Sequence, residues 1–125
     1  MTDEITQHLN RARKLLAVVE ARAEVELAEV VAHTAYYSRH HAAVAVLLAH
    51  GVAIPKPHSG LVARLGQLDR DKGWQAKAEV ALLTRALERR LIADYEATDT
   101  LTVDHARSAR KDATAYASFC ERVIR

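Results

Sequence analysis

Three arginines close together in one predicted helix, Arg85, Arg89 and Arg90, are the residues of this chain best suited to hold an anion. A guanidinium meets a phosphate through paired, charge-assisted hydrogen bonds, so such a cluster offers a phosphate-binding face. Glu79 and Glu88 lie on the same segment, and the plainer expectation is a solvated surface partly paired with itself. Arg90 and Asp94 stand four apart, a separation at which a helix can close an ion pair. Earlier in the chain, His33, Tyr37 and His41 recur every four residues and give one polar-aromatic seam. Imidazoles can exchange protons near neutral pH. Equally, such groups can satisfy one another inside a tightly packed bundle.

Other chemistries are poorly served. His33 and His41 are two turns apart, wider than the usual zinc-ligating pair, and adjacent His40 and His41 point in different directions. No Cys or His cluster supplies further ligands, so neither a metal nor a cofactor is expected. Ser59 beside His58 lacks the strand-turn-helix setting of a nucleophile elbow and reads as a helix start. Cys120, the sole cysteine, excludes an intrachain disulfide and reads as a small core hydrophobe.

The elements that must position these residues are helices. Ala, Leu, Glu and Arg dominate, Gly and Pro are scarce, and no strand-like alternation of useful length occurs. Thr2 and Asp3 can cap a first helix with an apolar stripe at Ile5, Leu9, Ala12, Leu15, Leu16 and Val19. A break is expected between Arg22 and Glu26. The second helix, about Leu27 to His50, carries Val30, Tyr37, Val44 and Leu48 on one line. Ala35, Ala42, Ala43, Ala45 and Ala49 cover much of the rest, so it is expected at the centre of the bundle with neighbours close by. Gly51 suits its stop. Pro55 and Pro57 force an extended connection into a short third helix with Leu61, Leu65 and Leu68 inward, ending at Asp71-Lys72-Gly73. Trp74 begins the return to the core. The fourth helix carries Val80, Leu83, Leu87 and Leu91, and Ala97 to Leu101 reads as a linker. Thr102 or Asp104 caps the last helix, with Ala106, Ala109, Ala113, Tyr116, Phe119 or Cys120, and Val123 inward. The expected fold is an all-α, up-and-down bundle of about five helices, four long and one short, forming one domain over residues 1–125.

Composition sets outer bounds. The 125 residues suffice for a real core without disulfides or metal. Charge is nearly balanced, 18 Lys and Arg against 16 Asp and Glu, which is not the profile of a general nucleic-acid coat. Local basic patches remain, at Arg85, Arg89 and Arg90 and again at Arg107, Arg110 and Lys111. No apolar run reaches the roughly 18–20 residues of a membrane span. Met1-Thr2-Asp3-Glu4 is acidic where a signal peptide would be basic, so the chain is expected to be mature as written, in a reducing cytoplasmic setting.

Three segments carry a family resemblance. Tyr36-Tyr37-Ser38-Arg39-His40-His41-Ala42-Ala43 resembles the Tyr-Tyr-Ala-x-Phe-His-Ala-Ala signature of small stand-alone HEPN proteins of bacteria and archaea, with His40 in place of Phe. Lys56-Pro57-His58-Ser59-Gly60-Leu61 is similar to their Lys-Thr-His-Ser-Gly-Leu segment, with Pro57 for Thr. Arg90-Leu91-Ile92-Ala93-Asp94-Tyr95 matches their Arg-x-x-Ala-Asp-Tyr element. The three occur in order between residues 36 and 95. The resemblance implies a helical bundle that often forms symmetric homodimers and associates with minimal nucleotidyltransferases, sometimes as a toxin–antitoxin pair. Active HEPN ribonucleases work without metal through an arginine followed, after a short spacer, by a histidine near the dimer cleft. Here Arg89, four residues and then Asp94 place a carboxylate where that histidine is expected. An ordinary Asp titrates at about pH 4 and is a poor acid at neutral pH.

Two readings of the site follow. In one, His41 and His58 face Arg89, Arg90, Asp94 and Tyr95, with Tyr37, Lys56 and Arg85 adding binding contacts. In the other, the same groups merely satisfy each other. The leading functional expectation is a HEPN interaction module, a homodimer that binds a nucleotidyltransferase partner, a nucleotide or RNA. The alternatives are a metal-independent ribonuclease toxin with His41 or His58 as the replacement base, and a purely structural bundle.

Overall fold

Local signals set the helix ends. The computed structural model describes residues 2–95 and 101–125 and contains five helices: α1 (Asp3–Arg22), α2 (Ala28–Ala49), α3 (His58–Lys72), α4 (Lys77–Tyr95) and α5 (Val103–Ile124). Among the described residues there is no strand. The Thr2 hydroxyl accepts from the Ile5 N–H at 3.3 Å and opens α1. Thr102, not Asp104, caps α5. Its side chain accepts from the His105 N–H while the His105 ring accepts from the Thr102 N–H, closing a capping box. Gly51 and Gly73 lie at φ of 70° and 66° just past α2 and α3, where a left-handed residue ends a helix. The break after α1 falls at 23–27, as expected. The expected link from Ala97 to Leu101 lies, apart from Leu101, outside the described residues.

The extended Pro55–Pro57 connection is observed, with Pro57 at φ −74° and ψ 141°. A Cβ on Gly60 would come within 2.8 Å of the Pro55 Cβ, so this turn closes only over a glycine. The link after α3 returns Trp74 to the core, edge-on to the rings of His50 and Phe119 at 5.3 and 6.0 Å.

α2 is the axle of the bundle and touches each of the other four helices. Its alanines Ala35, Ala42, Ala43 and Ala45 are all buried, which lets its neighbours come close. Around it Leu47, Leu61, Leu65, Leu83, Tyr116 and Phe119 are almost fully enclosed. Each leucine buried this way contributes on the order of 2 kcal/mol. Every inward position expected in α3 and α5 is buried.

Two inward expectations fail. Val30 is 45% exposed and Leu91 43% exposed. α2 is apolar on nearly all sides, so its pattern cannot say which line faces inward. The buried arc instead runs through Val31, Ala35, Ser38, Arg39, Ala42 and Val46. Leu91 lies near the C-terminal end of α4, beyond its buried stretch Val80, Leu83 and Ala86.

Candidate functional site

The α2–α4–α5 junction holds a group of charges that is mostly shielded from water. Arg39 is the largest fully buried side chain, 1% exposed. α2 carries it inward between two helices, and its guanidinium donates to the Ala109 carbonyl of α5 at 2.8 Å and the Leu82 carbonyl of α4 at 3.3 Å. Burial lowers its pKa to about 10, with Asp112 acting in the opposite sense and Arg89 and Arg85 reinforcing the drop. It remains a cation at neutral pH. Asp112, on α5, is itself buried and accepts from Arg85 at 3.0 Å and Arg89 at 3.2 Å. Arg89 also donates to the Ser108 hydroxyl at 2.9 Å.

Two guanidiniums thus pair with one carboxylate, and a third, that of Arg39, lies near enough to feel its charge. Arg89 is largely enclosed, its side chain 14% exposed, whereas that of Arg85 is 51% exposed. The expected self-pairing of this helix through Glu79 and Glu88 is therefore corrected. Arg85 and Arg89 take their counter-charge from another helix, because the inward turn of α4 aims them at α5. The other basic group behaves differently: Arg107 pairs with Glu24 at 2.8 Å and Asp104 at 3.3 Å, and Arg110 lies 3.9 Å from Glu24.

Arg90 leaves α4 toward α2. Its guanidinium carbon lies 5.1 Å from the Tyr36 ring centre and 5.4 Å from that of Tyr37, a cation–π contact with both. Burial raises the Tyr36 pKa to about 12, partly offset by Arg90. The helical seam continues as rings: Tyr37 meets His33 edge-on at 5.5 Å and His40 at 6.1 Å.

The sequence-derived site is thus only partly assembled. Arg85 and Arg89 converge on Asp112, and Arg90 joins Tyr37. His41 instead faces α1, its Nδ1 3.0 Å from the Nδ1 of His8. His58 opens α3, and Asp94 and Tyr95 end α4; their side chains lie outside the described residues. Lys56 is exposed in the proline connection. A cavity of about 510 Å³ between α3 and α4, lined by Val62, Gly66, Asp69, Arg70, Lys77 and Val80, receives none of Tyr37, His41, Lys56, Arg85, Arg89 and Arg90. The described residues contain no group of three or more His, Cys, Asp or Glu placed to hold a metal ion.

Arg39, Asp112, Ser108 and His8 were not found from the sequence. The signal for Arg39 was present: it shares a helix face with Ala35, Ala42 and Ala43, the small residues expected to bring neighbouring helices close. Asp112 offered none, because it sits among Arg110, Lys111 and Thr114 like a surface residue.

With this geometry in view, the comparisons with known proteins are specific. The family model described as HEPN domain matches residues 5–123. The chain belongs to the HEPN family. A UPF0332 protein of Archaeoglobus fulgidus is 30% identical over 121 residues, covering 91% of this chain and 90% of the relative. The HEPN match spans all five helices and so includes the Asp112 group and the Arg90–tyrosine stack. HEPN domains often dimerise. No helix among the described residues is long and apolar enough to cross a membrane.

Proposed function

We infer that this HEPN chain is an interaction module that binds the phosphate of an RNA strand or nucleotide on its α2–α4–α5 face without cutting it. The observation that carries the reading is the charge of the Asp112 group, three guanidiniums against one carboxylate with Arg85 half in solvent. A partly buried excess of positive charge is stabilised by an arriving anion more than an exposed one would be. Arg85 can turn its free N–H groups to a phosphate while Arg89 keeps Asp112 occupied. Arg90, lying across Tyr36 and Tyr37, adds a further guanidinium on the same helix. A homodimer, a minimal nucleotidyltransferase as protein partner and a cytoplasmic setting belong to the same reading on family grounds. The free, buried Cys120 suits a reducing compartment.

The ribonuclease alternative needs a base beside Arg89 or Arg90. His41 is engaged with His8, which argues against its taking that part. Labelled single-stranded RNA mixed with the purified chain in EDTA decides between the readings. The module predicts a shifted but intact RNA, several-fold weaker binding in Arg85→Ala, and a dimer by light scattering. Cleavage that vanishes in Arg90→Ala and His58→Ala would establish the toxin instead. A monomer that neither binds nor cuts RNA, and ignores a nucleotidyltransferase from the same genome, would leave only a structural bundle.

A further inference from the structure

His8 on α1 and His41 on α2 are 33 residues apart, yet their rings stack with centres 5.2 Å apart and planes 28° from parallel, Nδ1 to Nδ1 at 3.0 Å. At that distance one nitrogen carries the hydrogen and the other accepts it. There is room for one proton between them and not for two. A first added proton can go to the far nitrogen of the donor ring and leave the contact intact. A second must go onto the accepting Nδ1, where it sets two N–H groups and two positive rings face to face.

The surroundings oppose that second proton. From α1, Arg11 shares with His41 the lining of a cavity of about 210 Å³, together with Leu15, His33, Thr34 and Tyr37. From α2, the His40 ring stands 5.3 Å from His41. The nearest acid along α1, Glu4, is one turn before His8 and exposed to solvent. Burial first, then His8, then Arg11, hold His41 below the ordinary imidazole range.

Farther along α1, Ala12 lies in the main core and its carbonyl accepts from the buried Ser38 hydroxyl at 2.9 Å, which anchors the helix there; its first turns are held differently. The N-terminal part of α1 rests on a small satellite core of Ile5, Leu9 and Ala45, separate from the main one. Its ion pair to α5, Arg13 with Glu121, is exposed and contributes little. We propose that His8 and His41 form a proton-operated clasp that keeps the start of α1 on α2 and releases it when the second proton enters. Release uncovers Ile5 and Leu9, which are buried while the clasp is closed. This inference does not rest on anion binding at the Asp112 group.

Side-chain nitrogen NMR across pH 8 to 4.5 tests it on the intact chain. The clasp predicts two coupled steps for His8 and His41, the lower one below the ordinary imidazole value of about 6.5. Amides of α1 should lose hydrogen-exchange protection with that lower step while α4 and α5 keep theirs. His8→Gln removes the coupling, so His41 should titrate once, closer to its ordinary value, and the acid loss of α1 protection should shrink by half or more. His41→Gln removes the same contact from the other side and should shrink the acid loss of α1 protection equally, which covers the case in which one variant folds poorly. Independent, ordinary titration of both rings in the unaltered chain would overturn the clasp. So would an acid profile of α1 that both variants leave unchanged.

Discussion

On one flank of α2, Arg39 reaches between α4 and α5 into a group of permanent charges arranged about Asp112. On the other flank, His41 meets His8 of α1 in a contact that needs no net charge. The two flanks join α2 to its neighbours by different means. Guanidiniums stay charged at any physiological pH, so their flank depends on a fixed carboxylate and is indifferent to pH. The imidazole pair depends on which nitrogen holds a proton, so its strength varies with pH. The charged flank carries a partly buried excess that an outside anion can neutralise, whereas the imidazole contact itself needs no such excess.

The sharpest way to break the charged flank is to remove its carboxylate. Asp112→Ala leaves Arg85 and Arg89 without their carboxylate, in a group that also holds the buried cation of Arg39, and should cost about 3–5 kcal/mol in urea unfolding. A loss under about 1 kcal/mol would mean that water, not Asp112, solvates these cations.

Acid should divide the flanks next. The folded chain holds His41 below its unfolded value, so the unfolded state binds more protons as pH falls. The stabilisation is therefore complete above about pH 6.5 and is lost as pH drops through the depressed folded value. Urea midpoints followed from pH 8 to 5 should fall toward acid, and His41→Gln should flatten that fall. A steeper acid loss in the variant would reverse the sign and refute the assignment.

Arg85→Ala should be mild for folding, a loss below about 1 kcal/mol, because its side chain is half in solvent and Arg89 still pairs Asp112. A loss like that of Asp112→Ala would place Arg85 in the structural part of the group. The smallest effect is expected from Arg13 and Glu121, 2.7 Å apart with both side chains well exposed. A double-mutant cycle on that pair should return about 0.2–1 kcal/mol, and it sets the scale against which the Asp112 group is judged.

The fold was legible because it rests on periodicity. Four of the five alanines expected along α2 (all but Ala49), the leucine triplet of α3 and the inward face of α5 are buried as expected. Legibility failed where α2 is apolar on almost every side, since a pattern without a polar face does not fix rotation. That is why Val30 was placed inward and Arg39 was passed over. It failed again for contacts between helices. Asp112 with Arg85 and Arg89, and His8 with His41, are separated by 27, 23 and 33 residues, and no local rule joins residues so far apart. The family resemblance marked the α4 arginines as a place of interest but carried no information on the α5 residue that holds two of them.

The central claim is that Arg85 offers its charge to a phosphate while Asp112 holds Arg89 in place. The salt dependence of single-stranded RNA binding tests it most directly, because each phosphate contact releases counterions and adds about 0.7 to the slope of log affinity against log salt. The account predicts a measurable slope for the unaltered chain and a slope shallower by about 0.7 in Arg85→Ala. Identical slopes in the two proteins would contradict it.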